Sequence, residues 1–176
     1  MKQGIKALIG CLLLVVLDQF TKVLALQNLK GQEPITIIPD VFQLLYVENR
    51  GAAFGILQNK QWVFLIITAI VLVALIWALP RMSRERHFLP LRLCLCFIGA
   101  GAVGNMIDRI FRGYVVDFFY FSLINFPIFN VADIYVTAAA FLLIFLCLFY
   151  YKEEDFEQIF PSDSSRQHSS EKKDND

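Results

Sequence analysis

Residues Trp62 to Leu79 read WVFLIITAIVLVALIWAL, an apolar run with no charge anywhere in it. A helix needs about 20 such residues to cross a ~30 Å hydrocarbon core, so the run reads as a membrane span. Three stretches of similar length accompany it: Ile5 to Leu26, Phe88 to Ile107 and Ile128 to Tyr151. The 176-residue chain is 57% hydrophobic and 18% charged, with 17 phenylalanines and a mean hydropathy of +0.55. Neither a disordered chain nor an ordinary soluble domain has that composition. The chain reads as a small polytopic membrane protein.

Orientation follows from Lys and Arg beside the spans. Lys2 and Lys6 precede the first, and Arg81, Arg84 and Arg86 crowd the link between the second and third. Both termini are therefore expected on the cytoplasmic side. Gln27 to Gln61 and Asp108 to Pro127 then face outward, although Lys22, Lys30, Arg50, Lys60, Arg109 and Arg112 dilute the bias. Within the first outer segment, Pro34 to Val47 reads PITIIPDVFQLLYV, β-branched and aromatic around a Pro39-Asp40 turn, and predicts short strands at the membrane surface. In the second, Tyr114, Phe118, Phe119, Tyr120, Phe121 and Phe126 fit an aromatic belt at the water interface, and anchoring explains most of them. From Lys152 to Asp176 the chain turns polar and is expected to be a disordered cytoplasmic tail.

Sixteen basic and sixteen acidic side chains cancel, and no basic stripe interleaved with aromatics points to nucleic acid. The N-terminal run continues to Val16 without a small-residue cleavage site, so a spanning helix is favoured over a removed signal peptide. Leu8-Ile9-Gly10-Cys11 resembles a lipobox only by chance, since most of the apolar run follows that cysteine. Cys11, Cys94, Cys96 and Cys147 lie inside apolar runs, away from His87 and His168. Neither a metal site, a cofactor, a disulfide framework nor a histidine-assisted nucleophile is expected.

Function is sought where the spans are interrupted, because an ionisable group there costs about 2.5–3.5 kcal/mol on insertion scales. Asp18 and Lys22 interrupt the first span, Arg92 the third and Asp133 the fourth, while Asp108 and Asp117 lie just beyond the third in GNMIDRIFRGYVVDFF, residues 104–119. On this topology Asp18, Asp108, Asp117 and Asp133 converge on the outer interface. Asp18 precedes Lys22 by one helical turn, which favours an internal ion pair. Asp108 is followed by Arg109, and pairing with that or another cation suits an anchor better than a proton donor. Asp117 and Asp133 have apolar neighbours and make the better acid/base pair, although the spacing of Asp108 to Asp133 also permits those two on facing elements. Two carboxylates held close in a poorly solvated site share a proton, so that one can take a proton from water and the other can give one to a carbonyl oxygen. Asn49, Asn105 and Asn130 offer amides that hold an extended backbone or orient a carboxylate, as well as turns or caps. Gly99, Gly101 and Gly104 read as close helix packing, and Gly51-Ala52-Ala53 as a tight turn or a substrate approach. A proton-coupled transporter relaying through Asp18 and Asp133, or an assembly factor that would tolerate Asp117→Asn, stays open at this point.

Five blocks in order carry a resemblance: Asp18-Gln-Phe-Thr-Lys22, Asn49-Arg-Gly-Ala-Ala-Phe-Gly55, Gly101-Ala-Val-Gly-Asn-Met-Ile-Asp-Arg109, Val116-Asp-Phe118 and Phe129-Asn-Val-Ala-Asp133. Together they resemble the lipoprotein signal peptidases, or signal peptidase II, over about residues 5 to 150. The resemblance implies an all-α integral membrane protein of four transmembrane helices with a small extracytoplasmic β-rich cradle. Residues 1–151 would be the peptidase domain, with a β-rich outer loop over 27–61, and 152–176 the tail. It implies a bacterial cytoplasmic-membrane aspartic endopeptidase that cleaves prolipoproteins just before a diacylglyceryl-modified Cys, acts as a monomer among membrane lipid, and is sensitive to globomycin. Asp117 and Asp133 match the catalytic dyad. Asn49, Asn105, Arg109 and Asn130 match positions lining the substrate site, and Asp18, Lys22 and Asp108 match polar positions that support it. Ile134 stands where the family often has Ser, and the acidic tail is not part of the pattern.

Overall fold

The computed structural model describes residues 2–51 and 60–159. Ala52 to Gly55 of the Asn49 block, and the tail from Phe160 onward, lie outside the described residues. Among those described, four helices are long and apolar enough to cross a membrane, over Ala7–Asn28, Gln61–Ala78, Arg86–Phe111 and Val131–Tyr150. The elements run α1 (Lys2–Asn28), β1 (Ile35–Ile38), β2 (Phe42–Asn49), α2 (Gln61–Ala78), α3 (Leu89–Phe111), β3 (Val115–Phe121), α4 (Val131–Phe145) and α5 (Glu153–Ile159). A π-helical turn, Leu146–Tyr150, prolongs α4.

Helix α3 is the hub, packing against α1, α2 and α4. Small residues make this possible. A Cβ on Gly104 would lie 2.5 Å from Asp18 Oδ2, and one on Gly101 would lie 2.5 Å from the Ala132 carbonyl oxygen. Glycine thus lets α1 and α4 approach α3 at backbone distance. Helix α2 stands at the rim with no buried residue. Its Ile70 and Ile76 are 64% and 72% exposed, apolar surface that suits contact with lipid rather than water.

All three strands gather at one end of the bundle in an antiparallel sheet ordered β1-β2-β3. Strands β1 and β2 fulfil the expectation for Pro34 to Val47, with Asp40 at φ 59° in their turn. Strand β3 goes beyond the sequence reading, in which interface anchoring explains most of the aromatic residues of this segment. Its β-branched and aromatic residues fit a pleated surface, with Phe119 stacked on Phe42 of β2 at a ring-centroid distance of 6.0 Å and Phe121 tilted against it at 4.9 Å. Val116 and Phe118 point into a small core with Ala25 and Leu29 of α1's end. By strand alternation, Asp117 between them faces the other way, toward the helices.

Two boundaries differ from the sequence reading. Asp108 and Arg109 fall inside α3 rather than beyond the third span, because the Asp108 charge is matched within the bundle and the helix has no reason to stop before Phe111. Order also continues past Tyr151. Helix α5 returns to the end opposite the sheet, where Ile159 joins Met82, Phe88 and Leu91 in a second core and its carbonyl accepts from Ser83 N at 2.8 Å. Asp155 adds a contact with His87, Nε2 to Oδ1 at 3.0 Å, so both an apolar and a polar side chain tie α5 to the bundle.

Candidate active site

Between the sheet and the helices lies a polar centre built in two tiers. The lower tier joins α1 to α3. Lys22 Nζ lies 3.0 Å from Asp18 Oδ2 and 3.2 Å from Asp108 Oδ2, and all three side chains are fully buried. Asp108 also pairs with Arg112, one turn on. It accepts from Val116 N at 3.0 Å, which ties the end of α3 to β3. Asp18 Oδ1 accepts from Ala132 N at 2.9 Å, at the start of α4. Gln19 Nε2 bridges Asp18 Oδ2, the Gly104 carbonyl and Asp108 Oδ1 at 3.0–3.3 Å. Opposite charges and hydrogen bonds at these distances offset the cost of burying the ions.

The upper tier is set by the start of α4. Asn130 is its N-cap: Asn130 Oδ1 accepts from Asp133 N at 3.1 Å, and Asp133 Oδ2 accepts from Asn130 N at 3.1 Å, a reciprocal capping box. With its oxygen so engaged, the Asn130 amide turns its Nδ2 to Asp117 Oδ1 at 2.6 Å and to Asn105 Oδ1 at 3.2 Å. Backbone pairing brings the two segments together, since Phe118 N and Phe119 N both donate to the Phe129 carbonyl at 3.0 and 2.9 Å. Asn105 Nδ2 donates to Asp133 Oδ1 at 2.8 Å, and Asn49 Nδ2 to Asp117 Oδ2 at 2.8 Å. The Asn49 amide is itself fixed, because its oxygen accepts from Gly51 N at 3.0 Å. Every oxygen of both carboxylates therefore has an assigned donor.

Asp117 and Asp133 open onto a cavity of about 590 Å³ whose polar lining includes Asn49 and Arg109 and whose apolar wall includes Phe64, Phe126, Ile128, Phe129, Ile134 and Ala138. The Arg109 guanidinium stacks over the Phe64 ring at 4.8 Å, linking α3 to α2 at the cavity's edge. Burial, reinforced by the negative charge of Asp133, pushes the Asp117 carboxyl up to about 7, against the pull of its bonds from Asn49 and Asn130. Near neutral pH this site holds a carboxyl that can carry or release a proton. Water, one carboxylate and one carboxylic acid are the ingredients of general acid–base hydrolysis.

The candidate residues Asp18, Lys22, Asn49, Asn105, Asp108, Arg109, Asp117, Asn130 and Asp133 are drawn to this one end of the bundle, whereas Arg92 lies in the first turn of α3, away from it. Asp18 and Lys22 form the ion pair expected of their spacing. Asp108 has cationic partners, but they are Lys22 and Arg112 rather than the adjacent Arg109, which lines the cavity with the other two carboxylates. Consecutive helical residues lie about 100° apart, so neighbours in sequence face different ways. Gln19 and Arg112 were overlooked. The Asp108–Arg112 spacing of four residues was the available signal; nothing local marks Gln19 as a bridge. Thr137, which also lines the cavity, is one turn beyond Asp133 and was legible only once α4 was placed.

The family model described as signal peptidase (SPase) II matches residues 10–149. The chain is 47% identical over 131 residues to the lipoprotein signal peptidase of Brevibacillus brevis, covering 74% of this chain and 87% of that one. Against the protein of that name from Streptococcus pneumoniae it is 43% identical over 153 residues, covering 87% and 96%. A solved structure described as a bacterial membrane enzyme determined by the in meso method superposes with a TM-score of 0.74 at 33% identity, covering 84% of this chain and 92% of that chain.

Proposed function

The chain belongs to the signal peptidase II family, and from that premise we propose that it cleaves prolipoproteins just before a diacylglyceryl-modified cysteine, using Asp117 and Asp133 to activate water. The observation that carries this reading is the single amide of Asn130. Its Nδ2 holds Asp117 while its backbone N and Oδ1 hold Asp133, so two carboxyl groups from different elements share one positioning residue. The pair is partly withdrawn from water and binds one proton between its members. The ionised member draws a proton from water as it attacks the scissile carbonyl. Its protonated partner donates to the carbonyl oxygen, and a proton then passes to the leaving nitrogen.

The cavity's surroundings suit the substrate class. Its apolar wall, between α2 and α4, would take acyl chains. Asn49 and Arg109 would take the peptide backbone, as amide and guanidinium donors do. The basic residues at the opposite end, Arg84 and Arg86 among them, support a reading with that end and both termini in the cytoplasm and the site near the outer face of a bacterial cytoplasmic membrane. One copy contains every group named, so a monomer suffices. A transporter using Asp18 and Asp133 would need its acids spread through the membrane's depth, whereas Asp18 and its neighbours gather at the sheet end.

The test is cleavage by purified wild type, Asp117→Asn, Asp133→Asn and Asp108→Asn of a preprolipoprotein with and without its diacylglyceryl group. Cleavage of the lipidated form alone, lost at Asp117 and Asp133 and only weakened at Asp108, is the expected result. Full activity of Asp117→Asn, or cleavage of neither form by the folded wild type, overturns the proposal.

A further inference from the structure

Lys22 is a cation sealed from both water and the cavity. It is 0% exposed and does not line the cavity, so it cannot touch substrate. Its family-matched role is support, yet its geometry reaches further than a strut between Asp18 and Asp108. The third partner of its ammonium is Asn105 Oδ1, at 2.8 Å. An ammonium only donates, so the Asn105 atom beside it must be the carbonyl oxygen. The Asn130 Nδ2 at 3.2 Å, another donor, points to the same atom. The Asn105 amino group is thereby forced toward Asp133 Oδ1, 2.8 Å away.

Resting on the dyad reading above, we infer that Lys22 is a positioning residue for catalysis, acting through Asn105: it locks the amide so that its NH2 always faces Asp133. Without the ammonium, the amide's orientation rests on the longer 3.2 Å bond from Asn130 Nδ2 alone, and the flipped orientation becomes accessible. Rotated by half a turn, it presents its oxygen to Asp133 Oδ1, acceptor against acceptor, and the carboxylate loses its aim. The charged groups around this relay are Asp18 on α1, Asp108, Arg109 and Arg112 on α3, Asp117 on β3 and Asp133 on α4. Among the described charged groups it is Lys22 that donates to the Asn105 side-chain oxygen, while Arg109 Nη1 reaches the Asn105 backbone carbonyl at 3.5 Å.

Removing Lys22 by itself would strand buried carboxylates, so Asp18 is neutralised in the same variant. Asp18→Asn with Lys22→Met removes the ammonium and keeps the cluster's wild-type net charge, and Asp18→Asn alone is the reference for loss of that carboxylate. Each is purified, shown to be monodisperse in detergent, and assayed on a diacylglyceryl-modified prolipoprotein peptide. A misplaced catalytic group costs up to about a hundredfold. The expected result of Lys22→Met is a fall in kcat of roughly tenfold or more with KM changed less than about twofold. A relay further requires non-additivity. In an Asn105→Asp background, where residue 105 still accepts from Lys22 but cannot donate to an ionised Asp133, adding Asp18→Asn/Lys22→Met should cost little more kcat than adding Asp18→Asn alone. Unchanged kcat, a loss confined to KM, or losses that multiply with Asn105→Asp would overturn the inference. Should the Lys22 variant not fold, Asn105→Asp decides alone, since full kcat there removes the link from Lys22 to Asp133. Activity surviving in Asp117→Asn or Asp133→Asn would instead reject the dyad, a separate failure.

Discussion

At the scale of single residues, three asparagines divide the work of aiming two carboxylates, and each amide is fixed by what holds its oxygen. Gly51 N holds that of Asn49, Lys22 that of Asn105, and Asp133 N that of Asn130. Asn130→Ser keeps a capping oxygen and deletes the donor to Asp117. It is expected to lower kcat by about tenfold or more while the thermal midpoint in detergent stays within a few degrees, whereas Asn130→Ala also loses the cap, worth about 1 kcal/mol. Asp117 carries a pH signature of its own. Its carboxyl sits at about 7 when folded, against the ordinary aspartate value of 3.8. Between those values the folded chain keeps a proton that the unfolded chain releases, so its contribution favours folding at low pH and is lost as pH rises toward 7. Asn cannot ionise. The midpoint of Asp117→Asn relative to wild type should therefore rise between pH 5 and pH 8, by several degrees, while cleavage is lost at every pH. A flat difference across that range would mean that Asp117 is not withdrawn from water.

At the scale of elements, what was legible in the sequence was legible because a local pattern encoded it. The uncharged run of α2, the four-residue step from Asp18 to Lys22 and the β-branched stretch before Tyr46 each announce an element through spacing alone. Strand β3 did not, since VVDFFYF lacks polar–apolar alternation and its identity depends on β2 lying beside it. The partners of Asp108 were hidden for a related reason: Lys22 is remote in the chain and becomes a neighbour only when α1 meets α3. That meeting depends on Gly104. An alanine there places its methyl carbon 2.5 Å from Asp18 Oδ2 and 3.3 Å from Ala132 Cβ, between two other helices. Gly104→Ala is expected to cost at least 1–3 kcal/mol of stability through overpacking, read as a lower midpoint and reduced cleavage. Gly10→Ala is the control on the same bundle. A Cβ at Gly10 meets nothing within 4 Å, so it should be neutral or stabilise by up to about 1 kcal/mol through helix propensity.

At the scale of the whole molecule, the two ends of the bundle differ in kind, and that difference is the basis of the proposed orientation. One end carries the sheet, the carboxylates and the cavity; the other carries the short link with Arg84 and Arg86 and the returning α5. A peptidase acting on lipid-bearing substrates needs its carboxylates at the edge of the bilayer, where acyl chains stay in hydrocarbon while the peptide meets water. On the proposed orientation the basic link lies on the cytoplasmic side, as the distribution of Lys and Arg favours. These two requirements are independent, and they agree only if the sheet end faces outward. The agreement can be checked with cysteine labelling, because Cys11, Cys94, Cys96 and Cys147 all lie within the candidate spans and can be replaced by Ala or Ser. In that background Lys30→Cys, between α1 and β1, should react in intact cells or spheroplasts with a membrane-impermeant maleimide. Arg84→Cys, in the opposite link, should react only after permeabilisation. The reverse pattern would put the carboxylates on the cytoplasmic side, where they could not meet a signal peptide emerging on the outer face, and would overturn the orientation and with it the proposed access of substrate.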